Sequence, residues 1–281
     1  MNSSQLQAAT FATRHAIRMG RWDSARPEDF PYYGFFDVDL FDCPQFVMFT
    51  ANDCPRAINI FNRDFELHSM RLWCHLARSA SCIVDVGAHV GVYSLAAAAL
   101  RSDVAIHAFE PNPYAYARLR MHKEINGFGN IKEYRTALSS CDDNEEPLWW
   151  CTKKTSQISS GGHLEGHGNE FAITPTNTFD GYKINMGDRP LVKIDVEGHE
   201  VLVLAGMKDA IESYEPDIIL ETFSQPNCNE ILEYILRDNY RFYRIREDDR
   251  RLEEMPTLLP ASTKGKDYNA FLTTRPLPEG F

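Results

Sequence analysis

Acids set beside glycines occur in Asp85-Val86-Gly87-Ala88-His89-Val90-Gly91, and a further acid stands in Phe109-Glu110-Pro111-Asn112-Pro113. Glycines spaced Gly-x-x-x-Gly let a chain turn tightly from strand into helix and bring backbone amides close to a ligand. A carboxylate ending the next strand can accept both hydroxyl protons of a ribose, a bidentate contact with strong geometric demand. A dinucleotide site needs Gly-x-Gly-x-x-Gly, whose middle glycine admits a pyrophosphate. Here the middle position is His89, and Asp85 adds an anion that opposes phosphate. S-adenosylmethionine has a ribose, an ammonium, a sulfonium and no phosphate, so these residues favour it over NAD. The structural alternative is that Asp85 and Glu110 cap helices.

Transfer of a methyl group to an alcohol requires alignment of the reactants and removal of a proton, which a base within hydrogen-bond reach accelerates. The candidate bases are Asp195, Glu197, His199, Glu200 and His163. Asp195 is expected at a strand C-terminus facing the ligand crevice. Glu197 is either a second wall carboxylate or an acid favoured by a helix dipole. His199 titrates near neutrality. Glu200 is expected to bond backbone or Lys193, and His163 sits in a Gly-rich stretch able to close over a substrate. Asp195 with Glu197 raises a magnesium option, but two acids do not make a site, and no metal is expected. Trp149 and Trp150 adjoin in a strand pattern, which puts one on each face; a sugar-stacking role competes with core packing. Tyr93 either approaches the cofactor or packs its helix.

These residues need elements to hold them. Cys82 to Val86 is a short apolar run followed by a helical stretch to Leu100. Val104 to Phe109 reads as a second strand. Pro113 to Asn126 reads as a helix, with Asn112 as cap, Pro113 in the first turn and Gly127 past the end. Further strands are expected at Ile131 to Leu138, Leu191 to Val196, Asp217 to Phe223, Arg241 to Arg246 and Asn269 to Thr274. Helices are expected at Leu67 to Arg78 and Asn229 to Arg237. Strands apolar enough to be covered on both faces, alternating with helices, predict a doubly wound, mostly parallel α/β sheet. Residues 139–190 interrupt the rhythm on the crevice side and are expected to be a substrate loop. Upstream, Phe46 to Thr50 and Ile58 to Phe61 are candidates for a hairpin. Residues 1–80 are expected to form an N-terminal arm and substrate-side extension, and 81–281 the core.

The 281 residues carry 29 Lys plus Arg against 40 Asp plus Glu, a formal charge of −11 that disfavours nucleic acid as a partner. No run approaches the ~20 apolar residues needed to span a bilayer. Seven scattered cysteines without a CxxC spacing point to reduced thiols and a cytoplasmic protein. Residues 1–22 hold three arginines and no acid. They read as a cationic arm, with a transit peptide as the alternative.

Ile83-Val84-Asp85-Val86-Gly87-Ala88-His89-Val90-Gly91, Ala108-Phe109-Glu110-Pro111-Asn112-Pro113, Thr136-Ala137-Leu138-Ser139 and Val192-Lys193-Ile194-Asp195-Val196-Glu197-Gly198-His199-Glu200 resemble, in that order, the FkbM family of S-adenosylmethionine-dependent methyltransferases. The last stretch is the most specific. His89 departs from the family's usual Asn. The resemblance covers about Cys82 to Phe223 and implies a Rossmann-like class I methyltransferase core of seven strands, the last antiparallel. It implies that Asp85, Gly87, His89 and Gly91 line the methionine end of the cofactor. Glu110, with Pro111 and Asn112, would hold the ribose, Ala137 and Leu138 would border the adenine, and Asp195 would face the methyl group and the substrate. The preference for O-methylation of a small molecule, sugar or glycan comes from the resemblance alone. N-methylation of an amine, an NAD-dependent oxidoreductase, and a non-catalytic binding protein with a vestigial nucleoside pocket are the rivals.

Overall fold

The computed structural model describes residues 33–40, 43–51, 60, 65–150, 162–163, 168–222, 224–235, 239–261, 267–278 and 280–281. An antiparallel hairpin, β1 (Tyr33–Val38) and β2 (Phe46–Ala51), precedes α1 (Leu67–Ala77). Then come β3 (Cys82–Val86), α2 (Val92–Leu100), β4 (Ile106–Phe109), α3 (Pro113–Asn126) and β5 (Ile131–Tyr134). A second sheet collects β6 (Ala137–Leu138), β7 (Asn144–Trp150), β8 (Gly162–His163) and β9 (Glu170–Asn177). The alternation resumes with β10 (Pro190–Ile194), α4 (Glu200–Ala205), α5 (Lys208–Tyr214), β11 (Asp217–Glu221), α6 (Gln225–Tyr234), β12 (Arg241–Arg246), β13 (Arg251–Met255) and β14 (Asn269–Thr273).

The main sheet runs β13-β12-β14-β11-β10-β3-β4-β5. Its centre is parallel, and β14 runs antiparallel to both β11 and β12. Along the central strands, Ile83, Leu191 and Ile219 join one apolar cluster with α1, α2 and α3. Their neighbours Val84, Val192 and Leu220 join the other, with α4, α5 and α6. Period-two alternation therefore covers the sheet on both faces, which makes it the doubly wound, Rossmann-like sheet expected. Seven strands are expected, and eight are present in this sheet among the described residues. The addition is β13, whose Arg-Leu-Glu-Glu-Met sequence pairs with β12 at the edge of the described sheet. A charged edge strand lacks the alternation that betrays a half-buried one.

Two other expectations need correction. The strand Ile131 to Leu138 is two strands: it bends at Arg135-Thr136, where the Thr136 hydroxyl donates to the Pro175 carbonyl at 2.8 Å, and β6 leaves the main sheet to pair with β9. The described part of the 139–190 insertion carries the strands β7, β8 and β9 rather than loop alone, because β7 and β9 alternate. Leu148, Trp150, Thr174 and Thr176 are buried while Phe171 and Ile173 are exposed. Trp150 meets the Tyr114 ring of α3 edge-on at 6.1 Å, and Trp149 stacks near Phe171 at 4.6 Å, so the two tryptophans do serve opposite faces. Residues 151–161 and 164–167 lie outside the described part.

β2 pairs with β1. Of its expected partner, Ile58 to Phe61, only Ile60 is described, and it is helical. The hairpin docks on α3 through three side chains spaced four apart. Arg118 donates to the Phe49 carbonyl at 3.0 Å, and Phe49 N donates to His122 Nε2 at 2.9 Å. Asn126 takes both backbone groups of Val47, each at 2.7 Å. With Nε2 accepting, the His122 ring proton sits on Nδ1, 2.8 Å from the Val90 carbonyl. The hairpin is thereby bonded through one imidazole to the Gly87–Gly91 turn. Asn126→Ala leaves two backbone groups of β2 without their partner and is expected to cost about 1–3 kcal/mol in urea unfolding. A loss below about 0.5 kcal/mol would show that the hairpin does not depend on this clamp.

Candidate active site

Parallel strands expose their C-terminal ends along one edge, and β3, β4, β10 and β11 bring Asp85, Glu110, Asp195 and Glu221 there. After β3 the chain turns through Gly87 (φ +78°), His89 (φ +51°) and Gly91 (φ +94°). Gly87 N and Ala88 N donate to the Phe109 carbonyl at 2.9 and 3.0 Å, and Asp195 N donates to the Val86 carbonyl at 3.0 Å. These bonds press the tips of β3 and β10 together, so that a Cβ on Gly87 would lie 1.8 Å from the Asp195 carbonyl oxygen. His89 occupies the left-handed region, which Asn and His enter more readily than most residues.

Glu110 is buried at the tip of β4. Its two oxygens accept from His89 N at 2.7 Å and Asn112 N at 2.8 Å. Burial pushes its carboxyl up to about 7, against the pull of those N–H donors. Asn112 contributes its backbone here, because its side chain caps α3 by accepting from Tyr114 N and Ala115 N at 2.9 and 3.2 Å. Pro111 links the two roles and is half-buried. Asp85 is fully buried and turned toward α2, where its Oδ2 accepts from Ser94 N at 3.0 Å and Ser94 Oγ at 2.6 Å. Burial raises its carboxyl above the usual range, with the Lys193 charge opposing. Ala137 and Leu138 are buried at the start of the second sheet.

Asp195 follows β10 with a partly open side chain, 23% exposed, and its Oδ2 lies 2.5 Å from Lys193 Nζ, which is only 2% exposed. Lys193 and Asp195 are two residues apart on a strand and so share a face. The sequence predicts either backbone or Lys193 as the partner of Glu200. Of those two expected partners Glu200 takes the backbone: it accepts from Gly198 N at 3.0 Å and is fully buried at the start of α4, where burial raises its carboxyl. Glu197 is half-buried with φ +55°, an uncommon backbone for a residue with a side chain. His199 Nε2 lies 3.1 Å from Ser139 Oγ, which ties the α4 start to the second sheet. His163 stands opposite Trp149 on the β7–β8 ladder; its side chain lies outside the described part. Among the described residues no group of three metal-ligating side chains is present.

Two carboxylates of this edge escaped the sequence reading. Glu221 ends β11, one rung beyond the Ile194–Leu220 pair and hence beside Asp195. Burial, and then the charge of Asp195, push its carboxyl upward while Lys193 opposes. Glu66, just before α1, accepts from the Tyr93 hydroxyl at 2.5 Å. An acid at the end of a predicted strand was the available signal for Glu221. Glu66 has none, because a fold-level contact brings it in.

The family model described as the methyltransferase FkbM domain matches residues 85–242, more than half of the chain. The chain belongs to the FkbM methyltransferase family. Its similarity to a hexuronic acid methyltransferase of Haloferax volcanii is 30% identity over 154 residues, 53% of this chain and 59% of that protein. A second relative, Methyltransferase 1 of Beauveria bassiana, is 23% identical over 159 residues, 50% of this chain and 64% of that protein. The chain thus spans about 60% of the length of the relatives it matches. A solved FkbM methyltransferase of Methylobacillus flagellatus superposes with TM-score 0.43 at 17% identity, covering 76% of this chain and 52% of that one.

The cofactor of the FkbM core is S-adenosylmethionine, and the residues present fit it. The turn after β3 and the tip of β4 offer backbone amides and buried carboxylates, with no Lys or Arg in 85–91 or 109–113 to hold a phosphate. A carboxylate accepts from two hydroxyls at once only when ionised. Affinity for S-adenosylhomocysteine is therefore expected to rise as pH rises through about 7, and Glu110→Gln to flatten that dependence, read by calorimetry from about pH 6 to about pH 8.5. Stability of the unliganded protein moves the other way. A raised carboxyl favours the folded state below its ordinary value of 4.5, and this contribution is lost as pH climbs to about 7. Equal pH slopes of affinity in both proteins would remove Glu110 from the binding site.

Proposed function

We propose that this chain methylates a hydroxyl group of a sugar or another small polyhydroxylated molecule. The observation that carries the reading is Asp195: a carboxylate at the crevice edge, open on one side and bonded on the other to a buried ammonium. When bound, S-adenosylmethionine supplies an activated methyl group. Glu110 would accept its ribose hydroxyls, and the Gly87–Gly91 turn with Ala137 and Leu138 would hold its methionine and adenine portions. Asp195 accepts the proton that the acceptor oxygen must lose. A general base of this kind contributes ~100- to 10,000-fold. The name of the Haloferax volcanii relative supports a sugar acceptor. The acceptor is proposed to be a small molecule or carbohydrate rather than nucleic acid, which a chain of charge −11 would repel.

The acids around Asp195 also suit an ammonium group, so an amine is the second reading. Incubation with S-adenosylmethionine and a panel of hexuronides, neutral hexosides and amino sugars separates them. Product mass finds the acceptor, and the methyl NMR shift tells oxygen from nitrogen. A methyl on sugar oxygen is expected. Methylation confined to nitrogen would replace the main reading with the second, and cofactor binding without any product would favour a vestigial pocket.

A further inference from the structure

Lys193 lies in the middle of the sheet, beside Asp85 on β3 and Ile219 on β11. Burial of an ammonium is costly, and a hydrophobe of similar volume is often at least as stable in such a place. What the site gains from the cation is therefore to be sought in what Nζ touches. It lies 2.5 Å from Asp195 Oδ2 and 4.5 Å from the centre of the Tyr93 ring. The ring is held in turn: the Tyr93 hydroxyl donates to Glu66 Oε2 at 2.5 Å, and the same oxygen accepts from Asn269 Nδ2 at 3.1 Å. Burial opposes the charge on Lys193, yet Asp195, Glu66 and Asp85 together keep its ammonium above the ordinary range. Lys193 is thus a fixed cation hydrogen-bonded to the partly open Asp195.

We propose that Lys193, braced by the Tyr93 ring and by Glu66, is a positioning residue that holds the Asp195 carboxylate in the orientation and charge state that accepts the substrate's proton. This rests on Asp195 being the proton acceptor. Without Lys193, the charged groups that these interactions set around Asp195 among the described residues are acids: Asp85 from β3, Glu110 from β4, Glu221 from β11, Glu197 and Glu200 from the turn into α4, and Glu66 beyond the Tyr93 ring. Like charges raise the proton affinity of a carboxylate, and loss of an adjacent cation raises it further.

The test is the pH profile of kcat/KM for the full chain carrying Lys193→Met. The acid limb is expected to move up by ~1–3 units, with affinity for S-adenosylhomocysteine within a fewfold of the parent. Lys193→Arg, which keeps a cation, is expected to return most of the shift. Should Lys193→Met fail to fold, Tyr93→Leu removes the ring beneath the ammonium together with the hydroxyl that bonds Glu66, keeps Lys193 itself, and should move the same limb in the same direction by less. An unmoved acid limb in the folded variants overturns the proposal. So does an Arg variant shifted as far as the Met variant. Asp195→Asn separates this failure from that of the underlying reading: turnover near normal in that variant removes Asp195 as the base, whereas turnover lost there with an unmoved limb in the Lys193 variants removes Lys193 alone.

Discussion

Asp195→Asn is expected to cut turnover at least ~100-fold while leaving affinity for S-adenosylhomocysteine within a fewfold. Asparagine keeps the size of the side chain, and its amide oxygen can still accept from Lys193 Nζ. It cannot take a proton, which is the one property the proposed mechanism requires of this position. Methyl transfer to a neutral hydroxyl then has to proceed with the proton still on oxygen or leaving to water. The backbone bond from residue 195 to the Val86 carbonyl at 3.0 Å persists in the variant, so the strand tips that shape the cofactor turn stay together. The separation of kcat from binding is the informative feature. Turnover within about threefold of the parent would shift the base elsewhere. The next candidate is then His199, whose ring already bonds the Ser139 hydroxyl at 3.1 Å.

Gly87→Ala is expected to abolish measurable cofactor binding and to destabilise the protein by about 4 kcal/mol or more, at the upper end for single substitutions. Two effects add. Residue 87 has φ +78°, which costs a side chain roughly 1–2 kcal/mol. The added Cβ would also stand 1.8 Å from the Asp195 carbonyl oxygen and 2.8 Å from its carbon, both backbone atoms that cannot rotate away. Relief requires the tips of β3 and β10 to part, which breaks the Asp195–Val86 bond and moves the turn that bears His89. Gly198→Ala is the control: its φ is +104°, but nothing lies within 4 Å of the added carbon. It should show the backbone strain alone, about 1–2 kcal/mol, with binding retained. Thermal unfolding of the two variants side by side decides whether the contact or the dihedral dominates; equal losses would contradict the close approach of the strands.

The sheet was legible because its central strands are continuous apolar runs that end in acids or glycines. Asn112, Pro113 and Gly127 fixed both ends of α3, and the structure places them as cap, first turn and left-handed terminus. The strands of the insertion are hard to see in the sequence because Pro147 and Pro175 interrupt them and their outward face carries Phe171 and Ile173, which blurs the polar–apolar alternation. β13 offers no alternation to read, because an edge strand can carry mostly charged residues, here Arg251, Glu253 and Glu254. At the site, Asp85, Glu110 and Asp195 stood out as acids at strand ends. Lys193 carried a usable signal, since a Lys-x-Asp spacing on a strand puts both groups on one face. Glu66 and Tyr93 meet Lys193 only through the packing of α1 and α2, and no spacing in the chain announces such a contact.

Calorimetric titration of S-adenosylhomocysteine into the parent protein and into Glu110→Ala tests the central claim most directly. Saturable binding to the parent at one site is predicted. A loss of ~10- to 100-fold or more is predicted for the variant, from two hydrogen bonds to a charged acceptor. No binding to the parent, or equal binding to both, would contradict the assignment of this acidic strand edge as the seat of the methyl donor.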